Sequence, residues 1–98
     1  MSVSDADIAF AVELFEDLGA ITTRKMFGGI CVYQDGTVFA LMSSDGRLYL
    51  KAKDYVAESL RSEGAEQFHN MPYWSLPESA LEDPELALDW AKRSLETL

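Results

Sequence analysis

An α+β domain with a mainly antiparallel sheet is predicted by three features of the sequence. Residues 24–51, RKMFGGICVYQDGTVFALMSSDGRLYLK, alternate like paired strands and carry two Asp-Gly dipeptides, a strong short-range hairpin signal. An apolar arc at helical spacing precedes them. Asp83-Pro84 opens another helical pattern after them, with a capping residue followed by proline at the first helical position.

The first helix is expected from Asp5 to Leu18. Ser4 can cap it, Asp5 and Asp7 suit the positive end of its dipole, and Gly19 can stop it. At about 100° per residue, Ile8, Phe10, Ala11, Val12, Leu14, Phe15 and Leu18 fill one arc of roughly 200°, wide enough for a deeply seated helix.

If Asp35-Gly36 and Asp45-Gly46 are both two-residue turns, the register follows. Val32 then faces Phe39 and Ile30 faces Leu41, while Met42 faces Tyr49 and Leu41 faces Leu50. Side chains alternate across a strand, so one face carries Ile30, Val32, Phe39, Leu41, Leu48 and Leu50 and forms the core. The other carries Cys31, Tyr33, Val38, Ala40, Met42, Arg47, Tyr49 and Lys51. That second face is too apolar to be left to water, so the chain's own C-terminal part or a partner covers it.

A second helix is expected from Asp54, as its cap, to Glu63, with Gly64 as its stop. Pro72 and Pro77 keep EQFHNMPYWSLP extended, and PESALED allows a short helical turn. The last helix runs from Pro84 to Glu96, with Leu86, Trp90, Ala91 and Leu95 as contacts. The expected order is α-β-β-β-α-β-α in one domain over residues 1–98.

The net charge of −9 argues against broad attraction to nucleic acid or anionic membrane. Its distribution is uneven. Residues 24–53 hold five basic side chains (Arg24, Lys25, Arg47, Lys51, Lys53) against two acidic ones (Asp35, Asp45), and the rest holds three against fifteen. With one cysteine, Cys31, no intrachain disulfide can form, and neither a signal peptide nor a membrane-spanning run is present, so a cytoplasmic location is expected.

Little in the chain carries chemistry by itself. Gly28-Gly29 match neither a dinucleotide fingerprint nor a phosphate loop, and are expected to bend a sheet between strands 22–27 and 30–34. The alternative is a bared backbone that admits a ligand or partner. One histidine, His69, and one cysteine do not make a zinc site, and Cys31 lies between Ile30 and Val32 as an apolar filler. Tyr73 and Trp74 alternate, so one ring faces the core and the other away, where it can join Tyr49, Arg24, Lys25 and Lys51 in a basic aromatic patch.

ITTRKMFGGICVYQDGTVFALMSSDGRLYLKA followed by MPYWSLPESALEDPELALDWAKRSL resembles the N-terminal domain of the TfoX/Sxy family of bacterial competence regulators. The marks are Arg24 to Gly29, Leu48-Tyr49-Leu50-Lys51, Tyr73-Trp74 with Pro77, and the Asp83-Pro84 helix carrying Trp90-Ala91. The resemblance implies a compact α+β fold similar to the MmcQ/YjbR group and a role in transcription regulation through other proteins. It brings no catalytic residues, metal or cofactor. The expectation is therefore a non-enzymatic regulatory module, with Arg24, Lys25, Phe27, Gly28, Gly29, Tyr49, Lys51, Tyr73 and Trp74 as candidate partner contacts. A pocket near Gly28-Gly29 for a small molecule or substrate is the alternative, and direct nucleic-acid binding stands third. Homodimerisation through the amphipathic sheet face is a further expectation.

Overall fold

The computed structural model describes residues 2–98 as a five-stranded antiparallel sheet, in the order β1-β2-β3-β4-β5, packed with four helices. The strands are β1 (Ile21–Met26), β2 (Gly29–Gln34), β3 (Thr37–Met42), β4 (Leu48–Lys51) and β5 (Tyr73–Ser75), and the helices α1 (Asp5–Phe15), α2 (Asp54–Ser62), α3 (Glu78–Leu81) and α4 (Pro84–Glu96). The α+β class is as expected. Among the described residues, no helix is long and apolar enough to cross a membrane.

Local chemistry explains most element ends. Ser4 Oγ accepts from the Asp7 amide (3.1 Å) while the Asp7 carboxylate accepts from the Ser4 amide (3.0 Å), a reciprocal cap that starts α1. The helix stops at Phe15, three residues before the expected Leu18, and tightens into a 3-10 turn over Glu16–Leu18. Its buried face is narrower than the arc suggested: Ala11, Leu14 and Phe15 are buried, whereas Phe10 is exposed. The cap of α2 is Lys53, not Asp54, which takes a left-handed backbone inside the first turn. Asp83 caps α4 as expected, accepting from the Glu85 amide at 3.1 Å.

The middle of the chain departs from the expected register at three places. First, the expected bend between strands 22–27 and 30–34 is a complete reversal, and it lies one residue earlier than Gly28-Gly29. Phe27 and Gly28, both at positive φ (49° and 82°), form a two-residue turn that pairs Met26 with Gly29 and reverses the chain. The turn escaped recognition because phenylalanine rarely takes that conformation. Secondly, β3 carries a bulge: Tyr33 pairs with Val38 as expected, but Val32 pairs with Ala40, leaving Phe39 as the extra residue. Thirdly, Asp45-Gly46 is not a two-residue turn. The Ser43 amide donates to the Arg47 carbonyl (2.9 Å) around Ser44, Asp45 and Gly46, so Met42 pairs with Leu48 and Leu41 with Tyr49.

The last two departures are each one residue long, and they cancel across β3. Ile30, Val32, Leu48 and Leu50 therefore face the core as expected, but the strand between them is turned over. Ala40 and Met42 face the core, and Leu41 faces the other side with Tyr49 and Tyr73. The bulge lets Phe39 and its neighbour Ala40 both enter the core, where Phe39 meets Phe15 edge to face at 5.1 Å.

All the helices contribute to this one inner core, with Val56 and Leu60 from α2, Ala80 from α3 and Trp90 and Ala91 from α4. Ser94 of α4 is fully buried, and its hydroxyl donates to the Lys51 carbonyl, tying the last helix to β4. The two sheet edges differ. Residues 66–68 run beside β5, with hydrogen bonds from Ser75 to Glu66 (2.9 Å) and from Phe68 to Tyr73 (2.8 Å). The other edge, β1, is largely exposed.

Candidate functional site

The outer face of the sheet carries a second, smaller apolar cluster of Leu41, Tyr49 and Tyr73, against which Phe68 packs. Antiparallel order places the Phe27-Gly28 and Ser44–Gly46 turns at the same end of the sheet. Between these turns and residues 68–71 an open cavity of about 440 Å³ remains. Its floor includes Cys31, Leu41 and Tyr49, each less than a tenth exposed. One wall is the β1–β2 hairpin tip, Met26 and Phe27, and the opposite wall is Phe68, His69 and Met71.

The far wall is held from several directions. The Phe68 ring lies 4.8 Å from Tyr49 and 4.5 Å from His69, distances at which aromatic rings attract beyond simple burial. Arg47 pairs with Glu66 at 3.0 Å and its guanidinium lies 5.6 Å from the Tyr49 ring centre. The pair is exposed, so its value lies in fixing the 66–68 segment to β4 more than in energy. That hydrogen bond to Glu66 pushes the Arg47 guanidinium up from its already high value. At the turn, the Ser43 hydroxyl and then the Arg47 amide hold the Asp45 carboxyl below its ordinary value.

The near wall is different. Phe27 is 95% exposed, Met26 46% and Met71, across the cavity, 43%. A phenylalanine at positive φ carries a backbone cost of about 1–2 kcal/mol, because its Cβ crowds the following carbonyl. The ring, almost wholly in water, contributes little packing to offset that cost. The Val3 amide donates to the Gly28 carbonyl at 2.8 Å and braces the tip in position. Gly29 is required by its neighbour: a Cβ there would lie 2.0 Å from the Met42 carbonyl oxygen.

The cavity also brings Cys31 and His69 to one lining, but the thiol does not suit nucleophilic work. Burial pushes Cys31 up from its ordinary value, away from the thiolate that would react. Burial likewise raises the Tyr73 phenol, with Cys31 and Tyr33 as lesser contributors.

The nine residues expected to contact a partner separate into groups. Phe27, Gly28 and Gly29 form the hairpin tip beside the cavity, and Tyr49 lies in its floor. Tyr73 is on the same face but buried at 7% exposure, so it is not a free ring. Trp74 faces the other way: it packs on the inner core with the Arg61 guanidinium 5.6 Å from its ring centre. The three cations do not converge. Arg24 pairs with Cys31 and shares the cavity's face, whereas Lys25 pairs with Ile30 and shares the core's. Lys51 lies on β4, three strand spacings or about 14 Å from β1. The anticipated basic aromatic patch is thus replaced by an apolar groove with scattered cations. Met26, Cys31, Leu41, Phe68 and Met71 were not anticipated as lining it, because the bulge and the 66–75 return decide which of them meet.

The sequence model of the family described as TfoX N-terminal domain matches residues 13–98. A comparison with curated proteins finds no match.

Proposed function

Given that this chain belongs to the TfoX N-terminal domain family, we propose that it is a regulatory binding module of the TfoX/Sxy type, not an enzyme. It acts in competence or transcription regulation by docking a protein on the outer face of its sheet. The observation that carries this reading is Phe27, a large ring almost wholly in water at a strained position beside an unfilled apolar groove. Aromatic anchors and the pockets that receive them supply most of the energy of protein contacts.

The test is affinity capture with the wild-type domain, Phe27→Asn and Met71→Glu. A partner retained by the wild type and lost from both variants is the expected result. Retention unchanged in both removes the groove from the mechanism. Because Arg24 shares the groove's face and Lys25 does not, Arg24→Glu weakens capture more than Lys25→Glu.

A second reading is favoured by the size of the cavity. At about 440 Å³ it falls within the range of small-molecule sites, and its lining is mostly apolar. A ligand bound only by the folded state raises the melting temperature, so a metabolite panel that produces no shift counts against this reading.

A further inference from the structure

We propose that the open edge of the sheet, β1, takes up an extended acidic segment of another protein as a sixth strand. This site is separate from the groove and does not depend on it. The fold treats its two sheet edges differently. Residues 66–68 run along β5 and occupy its outward backbone groups. β1 ends the sheet on the other side, and among the described residues the backbone of 21–26 has no backbone partner except β2. Which groups point outward follows from the turn. In an antiparallel pair, hydrogen-bonded and non-hydrogen-bonded positions alternate, and a two-residue turn is closed by a hydrogen-bonded pair, here Met26 with Gly29. Thr22 and Arg24 therefore also bond to β2, and the Asp35 amide bonded to the Ala20 carbonyl at 3.0 Å keeps the same phase. Ile21, Thr23 and Lys25 are left to present their N–H and C=O groups outward, a ready template for an added strand.

Charge decides the occupant. Although the chain carries −9, β1 holds no acid and two neighbouring cations, Arg24 and Lys25, both exposed. The chain's other neighbouring basic pair, Lys92-Arg93, has Arg93 bound to Asp89 at 2.8 Å, whereas among the described residues neither Arg24 nor Lys25 has an ion-pair partner. Cations on an open edge repel the same edge of a second copy, and by the same rule they draw an acidic strand. Arg24 and Lys25 point to opposite faces of the sheet, as two consecutive acidic residues of an added strand also do. The edge has a polarity too. Asp35 stands at the Ile21 end, so acids are favoured beside Arg24 and Lys25 and opposed at the other end. Near physiological salt the screening length of about 8 Å lets these neighbours outweigh the distant net charge.

The experiment titrates the whole chain with three short synthetic peptides of alternating valine and threonine. One has a central Asp-Glu pair, one a central Lys-Lys pair, and the third is the Asp-Glu peptide with alternate backbone amides methylated. The Asp-Glu peptide should bind about tenfold or more tightly than the Lys-Lys peptide, from two cross-strand charge pairs, and methylation should abolish binding because it removes the donors. Amide hydrogen exchange locates the contact: Thr23 and Lys25 should exchange fast in the free chain and slow in the complex, while Thr22 and Arg24 stay slow in both. Arg24→Glu with Lys25→Glu should reverse the preference in favour of the Lys-Lys peptide. Thr23→Pro should abolish binding and keep the fold, since proline is tolerated where an edge N–H faces solvent. Binding that ignores peptide charge, a double variant with the wild-type preference, or no binding of the Asp-Glu peptide overturns the proposal. Loss of peptide binding on Met71→Glu also overturns it, because the peptide then sits in the groove. Capture of a partner that is lost on Phe27→Asn and Met71→Glu while the peptide is ignored leaves the groove reading standing and removes the edge alone.

Discussion

Replacing Gly29 by alanine tests the closeness of β2 to β3. The added Cβ would lie 2.0 Å from the Met42 carbonyl oxygen, 3.1 Å from its carbon and 3.2 Å from the Ser43 carbonyl carbon. All three are backbone atoms, so no side chain can swing aside. An ordinary carbon–oxygen contact begins near 3.3 Å, so the strands must part locally by about 1.3 Å. That displacement exceeds the latitude of a ladder hydrogen bond, whose N···O distances span about 2.7–3.2 Å. Loss of one or two such bonds, with their groups still partly buried, costs about 1–3 kcal/mol each. A destabilisation of about 3–5 kcal/mol follows, a large share of the roughly 5–15 kcal/mol that holds a domain folded. For a chain of 98 residues it lowers the melting temperature by about 12–30 °C.

Urea unfolding followed by the fluorescence of Trp74 and Trp90 measures this directly, with an unchanged slope showing that the transition stays comparable. Gly36→Ala is the control. Nothing lies within 4 Å of a Cβ at Gly36, and only its positive φ of 82° resists, at a cost of about 1 kcal/mol. If Gly29→Ala proves no worse than Gly36→Ala, the close approach to Met42 is not a determinant of this fold.

Two further outcomes concern stability. Tyr73 and Cys31 both have their protonation equilibria raised by burial, so the folded state holds its protons where the unfolded chain has released them. Their contribution is therefore complete below the ordinary values and declines as pH rises, from about pH 8.5 for the thiol and about pH 10 for the phenol. Denaturation curves between pH 7 and 11 should show this decline, and Tyr73→Phe should flatten its upper part; an unaltered slope in that variant refutes the assignment. Ser94→Ala removes the fully buried hydroxyl that donates to the Lys51 carbonyl, and should cost about 1–3 kcal/mol in the same urea assay. An effect below about 0.5 kcal/mol would mean that water or a neighbour satisfies the carbonyl instead.

The elements most legible in the chain were those whose signals are local. Ser4 with Asp7 announced α1, Asp83-Pro84 announced α4, and the Asp35-Gly36 turn has the type and pairing that its dipeptide implies. Alternation of Tyr73 and Trp74 across the sheet was equally direct. The groove was not legible. Its floor depends on Leu41 facing outward, which follows from the Phe39 bulge and the three-residue turn at Ser44–Gly46. Its far wall depends on residues 66–68 returning along β5, a pairing across the loop that no turn signal marks.

Local patterning and capping signals alone were enough to specify the class of fold, the starts of α1 and α4 and the inner faces of β2 and β4, because each rests on neighbours within a few residues. Which way β3 turns, whether a phenylalanine accepts a left-handed backbone and which side chains meet across the groove were settled by packing between distant segments. The physical reason is that a bulge shifts pairing by one residue, and a shift of one residue exchanges the two faces of a strand. Val32, Phe39 and Ala40 have little in their own sequence to choose between the two registers; the core formed with Phe15 and the helices makes the choice.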